Sequence, residues 1–125
     1  ADFRPKDIAK DKLKKADGIP QIELEATEDI LKTVAGQRRE AKRPRVVVGF
    51  AAESRDLLKN AAHKLESKGA DLFAANDISA SDAGFAVDTN RVTLLFADGH
   101  QEALSLMSKA EVAEAILGRV SKLLE

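Results

Sequence analysis

Arg45-Val46-Val47-Val48-Gly49-Phe50-Ala51-Ala52-Glu53 is the stretch that decides the fold. Val46, Val47, Val48 and Phe50 are almost continuously apolar, as in a strand covered on both faces, and Gly49 admits a close approach of backbone or ligand. Ser54 offers an N-cap for a helix that Gly69 closes, and Asp71, Leu72, Phe73, Ala74 and Ala75 form the next strand. Strand, helix and strand at this spacing predict a βαβ unit with a right-handed crossover and a parallel sheet.

Working outward, residues 1–5 read as the end of a strand running into a loop. Residues 5–18 are rich in Lys, Asp and Ala with few apolar anchors, which predicts a mobile flap with transient helix around 7–13. The alternation over 21–26, Ile22 and Leu24 against Gln21, Glu23 and Glu25, has the period of a half-exposed strand. Thr27 then caps a short helix whose first turn carries Glu28 and Asp29 and which Gly36 closes. Residues 91–96, the Asp98-Gly99 turn and residues 102–106 predict an antiparallel hairpin with a tight primed turn. Ser108 with Glu111 three residues on is a capping-box signal for a final helix with the stripe Val112, Ala115, Ile116, Val120 and Leu123.

Composition excludes several functions. The chain has 125 residues, 20 basic and 21 acidic, a net charge of −1, so no global field draws it to nucleic acid or an anionic membrane. Without Cys there is no disulfide, thiolate zinc site or thiol nucleophile. The aromatics are Phe alone, which argues against a stacking platform for single strands. No long apolar run reads as a leader or membrane span, and a cytoplasmic address is the expectation.

Ligands collect at the carboxyl ends of parallel strands. Asp2, Gly49 with Phe50, and Asn76 with Asp77 fall there, although packing at Gly49 and a polar turn at Asn76-Asp77 explain these residues as well. On the Ser54 helix a wheel gathers Leu57, Leu58, Ala61, Ala62 and Leu65, with Lys64 at the margin of that arc and Lys68 just inside it. Both ammonium groups point to the seam between helix and sheet, to meet an anion or to snorkel. Lys12, Lys14 and Lys15 put three positive charges in four positions, enough to neutralise much of a triphosphate if the flap closes, although a short lysine run is equally read as a solvated surface. There is no Walker-type loop and no G-x-G-x-x-G, His63 and His100 lack metal-ligand spacing, and Arg38, Arg39, Lys42 and Arg43 read as a solvated loop.

Taken in order, Ala1-Asp2-Phe3-Arg4-Pro5, Lys12 with Lys14 and Lys15, Asp29-Ile30-Leu31, Val48-Gly49-Phe50-Ala51-Ala52-Glu53, Lys64 with Lys68, Ala75-Asn76-Asp77, Asp88-Thr89-Asn90 and Leu106-Met107-Ser108-Lys109 resemble the CTP-dependent phosphopantothenate-cysteine ligases (phosphopantothenoylcysteine synthetases) of coenzyme A biosynthesis. That resemblance implies an α/β fold, a Rossmann-like three-layer αβα sheet with an antiparallel β extension that makes a homodimer through the hairpin of residues 91–106. It implies that CTP activates 4'-phosphopantothenate as an acyl-cytidylate, with Mg2+, and that cysteine's amine displaces CMP. FMN enters only with a fused upstream decarboxylase. Carried over residue by residue, it implies that Asp2, Lys12, the backbone of Glu28, Asp29, Ile30 and Leu31, Phe50, Lys64 and Lys68 contact CTP. Lys12 is then the catalytic flap lysine, and Asn76 and Asp77 are pocket or interface residues. Glu28 departs from the family's proline, and Ala86 and Val87 stand where Gly and Ser are common. The family's glycine-rich first loop and Ser-Ser-Gly segment have no counterpart, so residues 1–125 are expected to be the C-terminal part of one ligase domain, inactive alone, its sheet lacking the N-terminal strands. A non-catalytic nucleotide-binding module and a dimerisation module are the alternatives.

Overall fold

The computed structural model describes residues 2–79 and 87–125; Ala1, residues 80–86 and hence Ala86 lie outside them. In chain order the elements are β1 (Phe3–Pro5), a 3-10 turn (Lys15–Asp17), β2 (Leu24–Ala26), α1 (Ile30–Ala41), β3 (Val48–Glu53), α2 (Leu57–Lys68), β4 (Leu72–Asp77), β5 (Thr89–Asn90), β6 (Val92–Phe96), β7 (Gln101–Ala103), β8 (Met107–Ser108) and α3 (Lys109–Leu124). They form two units, Ala1–Ile30 and Leu31–Glu125. In the first, β1 and β2 make an antiparallel ribbon with Arg4 opposite Glu25, and the pair's side chains meet at 2.6 Å. The 18 residues joining the strands hold no helix at 7–13, only the one 3-10 turn.

The second unit is a mixed sheet in the order β3-β4-β6-β7, with β3 parallel to β4 and the other neighbours antiparallel. Strand residues alternate between faces. Phe73, Ala75, Val47, Ala51 and Leu95 therefore pack with Ala61, Leu57 and Leu65 of α2 and Leu31 of α1. Leu72, Ala74, Val92 and Leu94 pack with Val112, Ile116 and Val120 of α3. Phe73, Leu72, Leu94 and Leu95 are buried almost completely, each contributing about 1.5–3 kcal/mol. The result is a three-layer α/β architecture, helices on both faces of a mixed sheet.

Two local features fix the sheet. Gly49 lies opposite Phe73, and a Cβ there would come within 2.8 Å of the ring's Cδ2 and closer to Cε2 and Cζ, so only glycine fits. Asp71, at the foot of β4, accepts on Oδ2 from Val47 N at 2.7 Å and from Arg38 Nη1, and on Oδ1 from Arg38 Nη2 at 2.8 Å. Burial alone pushes the Asp71 carboxyl up, but the Arg38 guanidinium and the Val47 amide outweigh it and hold it below its ordinary value.

Several boundaries differ from expectation, each for a physical reason. The valine strand begins at Val48, because Val46 and Val47 belong to the approach that Asp71 pins. That strand is also an edge, paired with β4 alone among the described residues, and Phe50 is 71% exposed rather than covered. The first helix starts at Ile30, past Thr27, whose amide donates to the Asp2 carbonyl; Glu28 and Asp29 precede its first turn. It runs through Gly36 to Ala41, where Lys42 (φ 57) ends it, because Gln37 to Glu40 are good helix formers and Arg38 is anchored on Asp71. Arg38 and Arg39 are thus helical, not in a loop. Asp56 (φ 48), not Ser54, precedes α2. The hairpin turn spans three residues with Gly99 alone at positive φ (88), and Phe96 N donates to the His100 carbonyl at 2.9 Å; this is a turn with a glycine bulge rather than a primed pair. The Ser108–Glu111 capping box is present as expected.

Replacing Gly49 with Ala should cost about 1–3 kcal/mol by overpacking Phe73, and Phe73→Leu in the same chain should recover part of that loss in a chemical-denaturation cycle. Asp71→Asn should cost about 1.5–3 kcal/mol near neutral pH. Because the folded value is depressed, Asp71's contribution is present above 3.8 and is lost as the pH falls through the folded value. Thermal melts across the acid range should therefore show a flatter acid limb for the variant.

Candidate functional site

The pleat that turns Gly49 and Phe73 toward α2 turns Phe50, Ala74 and Asn76 to the opposite face. There they line, with Ala52, Asn90, Val92 and Val112, a pocket of about 160 Å3 near the carboxyl ends of β3 and β4. Its walls are apolar apart from Asn76 and Asn90. Asn76 Oδ1 is buried and has no hydrogen-bond partner among the described residues. An unmatched buried carbonyl costs about 1–3 kcal/mol, so this carboxamide is the polar group in the pocket with unused hydrogen-bonding capacity among the described residues. Phe50 offers an exposed ring at the rim, suited to cover a flat or apolar ligand group.

On the other face, the exit of β3 carries an ion pair. Glu53 Oε1 accepts from Lys64 Nζ at 2.5 Å, the carboxylate side chain being 14% exposed and the lysine 44%. Lys68, one turn further along α2, lines a separate hollow with Lys32, Arg38 and Glu66. Asp77 closes β4 and accepts from Ser79 N at 2.9 Å and Ser79 Oγ at 2.6 Å. Asn76 and Asp77 thus lie within β4 rather than after it.

Of the residues singled out by sequence, the structure brings Phe50 and Asn76 into one pocket and leaves Lys64, Lys68 and Asp77 on the α2 side or at the strand end. Leu31 packs in the core. Asp2, Lys12, Glu28, Asp29 and Ile30 belong to the Ala1–Ile30 unit, in which Lys12 is exposed on the loop joining β1 and β2. Asn90, which the sequence offered only within the Asp88-Thr89-Asn90 motif, also lines the pocket, and Glu53, at the end of an apolar run, proves to be the partner of Lys64.

The DNA/pantothenate metabolism flavoprotein C-terminal domain family matches residues 1–124. The chain belongs to this family. It is 46% identical over 123 residues to the coenzyme A biosynthesis bifunctional protein CoaBC of Bacillus subtilis, covering 98% of this chain and 29% of that protein. CoaBC of Vibrio vulnificus is 39% identical over 126 residues, with 99% and 30% covered. The crystal structure of the C-terminal domain of CoaBC superposes with a TM-score of 0.72 at 35% identity, over 99% of this chain and 50% of that one. The chain therefore spans about a third or less of the length of these curated relatives and half of that solved domain. The kinship read from the ordered motifs holds, and so does the layered α/β fold.

If Asn76 is kept at a cost to stability, Asn76→Leu should leave the unfolding free energy within about 1 kcal/mol of the parent or raise it, as measured by urea titration. A loss of several kcal/mol would show the carboxamide to be structural.

Proposed function

We propose that this chain is the nucleotide-handling part of a CTP-dependent phosphopantothenate-cysteine ligase acting in coenzyme A biosynthesis. The observation that carries the reading is the pocket at the carboxyl ends of β3 and β4, where exposed Phe50 stands beside the unmatched Asn76 carbonyl, in a member of a family whose relatives are named for coenzyme A biosynthesis. In this reading CTP activates the carboxylate of 4'-phosphopantothenate, releasing pyrophosphate and leaving an acyl-cytidylate. Cysteine's amine then attacks the acyl carbon, the bond to CMP breaks and the amide forms.

The residue roles follow from charge and exposure. Phe50, Lys64 and Lys68, with Asp2 and the backbone of Glu28, Asp29, Ile30 and Leu31, are the proposed CTP contacts. Backbone donors beside Glu28 and Asp29 suit a neutral base better than a phosphate, which those carboxylates would repel. Lys12, on an exposed loop, is the proposed catalytic cation for charge that builds on the α-phosphate. The Asn76 pocket, small and mostly apolar with one unmatched amide carbonyl, suits a neutral amide-bearing segment of the acyl substrate, while Asp77, at the end of β4 and outside that lining, is a proposed interface residue. Mg2+ commonly binds through substrate phosphates with few protein ligands, and in this reading it arrives on the triphosphate. A homodimer, a cytoplasmic address and FMN only in a fused decarboxylase belong to the same reading. No helix among the described residues is long and apolar enough to cross a membrane.

Titration calorimetry of CTP against ATP and GTP is the direct test. A clear preference for CTP is expected, and equal or absent binding of all three would overturn the assignment. In the intact enzyme, Lys12→Gln should lower kcat about 100-fold while changing CTP affinity far less. Single-turnover formation of acyl-cytidylate would read that difference.

A further inference from the structure

Glu53 has no part in the roles above, yet its surroundings give it one. It ends β3 on the α2 face, and its backbone carbonyl accepts from Ile78 N at 3.1 Å, so the residue is tied into the sheet edge. Its side chain is 14% exposed. One carboxylate oxygen takes the Lys64 ammonium at 2.5 Å; the other faces Asn60 Nδ2 at 3.4 Å, and that amide is itself fixed on the Arg55 carbonyl at 3.1 Å.

A lysine on a four-carbon stem samples many rotamers, and a ligand that must order it loses affinity. A shielded carboxylate anchored on two sides selects one position beforehand. An ammonium carries three donors, so the bond to Glu53 leaves two for a ligand. The pair is also neutral overall, so Lys64 offers directed donors rather than a long-range field.

We propose that Glu53 is a positioning residue for nucleotide binding: it pins the Lys64 ammonium at the carboxyl end of β3 so that its remaining donors meet CTP. This rests on the nucleotide reading given above.

The test compares CTP affinity and the KM and kcat of the intact enzyme for the parent, Glu53→Gln, Lys64→Met and the double variant. Lys64→Met should weaken CTP binding about 10- to 100-fold, as for loss of a charge-assisted contact. Glu53→Gln should raise the KM for CTP about 3- to 10-fold, less because the lysine is partly exposed, with kcat within about two-fold. The double variant should bind no worse than Lys64→Met alone. Unchanged or tighter CTP binding by Glu53→Gln, or a loss that adds in full to that of Lys64→Met, overturns the positioning role while leaving the nucleotide reading intact. If Lys64→Met itself binds CTP normally, Lys64 has no nucleotide role and the proposal for Glu53 falls with it. Should Glu53→Gln fail to fold, Glu53→Asp reads the same quantity, because the shorter carboxylate draws back from Lys64. A smaller rise in KM is then expected, and none would overturn the proposal.

Discussion

The ring of Phe73 lies over Gly49, and the sheet is built around that close approach. Because position 49 has no side chain, β3 can sit flush against β4 while a full aromatic ring fills the space beneath α2. The register this imposes, Gly49 with Phe73 and Ala52 with Asn76, puts Phe50 and Asn76 on the same opposite face. The pocket is thus a by-product of core packing on the other side. Asp71 reinforces the arrangement from below, tying α1 to the foot of β4 and to the approach of β3 through one carboxylate. A half-buried carboxylate with three donors is well satisfied, which is why it survives burial.

Periodicity made the βαβ unit, the hairpin and the capped last helix legible, since each rests on local signals: a run of valines, an Asp-Gly pair, a Ser with Glu three residues on. What sequence misplaced depends on partners distant in the chain. Gly36 reads as a helix stop, but Arg38 reaches across 33 residues to Asp71 and the helix continues past it. Val46 reads as strand until Asp71 fixes the neighbouring Val47 amide. Ser54 reads as a cap, yet the chain enters α2 through Asp56 in the left-handed region. At the candidate site, the alternation of strand residues made it legible that Phe50 and Asn76 fall near strand ends, where they line one pocket; that Lys64 is engaged by Glu53 was not, because eleven residues and a turn separate the two.

The site is electrostatically restrained. Lys64 sits in an ion pair, and the pocket on the opposite face offers shape and two carboxamides, Asn76 and Asn90. Such a site gains selectivity from geometry and from groups left unpaired by the wrong ligand more than from bulk attraction. That restraint agrees with a chain whose acidic and basic residues nearly cancel.

Helix α3 is secured at both ends. Ser108 and Glu111 exchange hydrogen bonds at its start, Lys109 N donates to the Asp88 carbonyl at 2.9 Å, Arg119 reaches Glu102 of β7 at 3.1 Å, and Arg45 donates to the carbonyl of Leu124 at its end. Helix ends normally fray, and their amides exchange with solvent through small local openings. Here the helix is held to Asp88, Glu102 and Arg45 outside it, so opening either end must also break those contacts, and exchange of the end amides is coupled to residues far away in the chain.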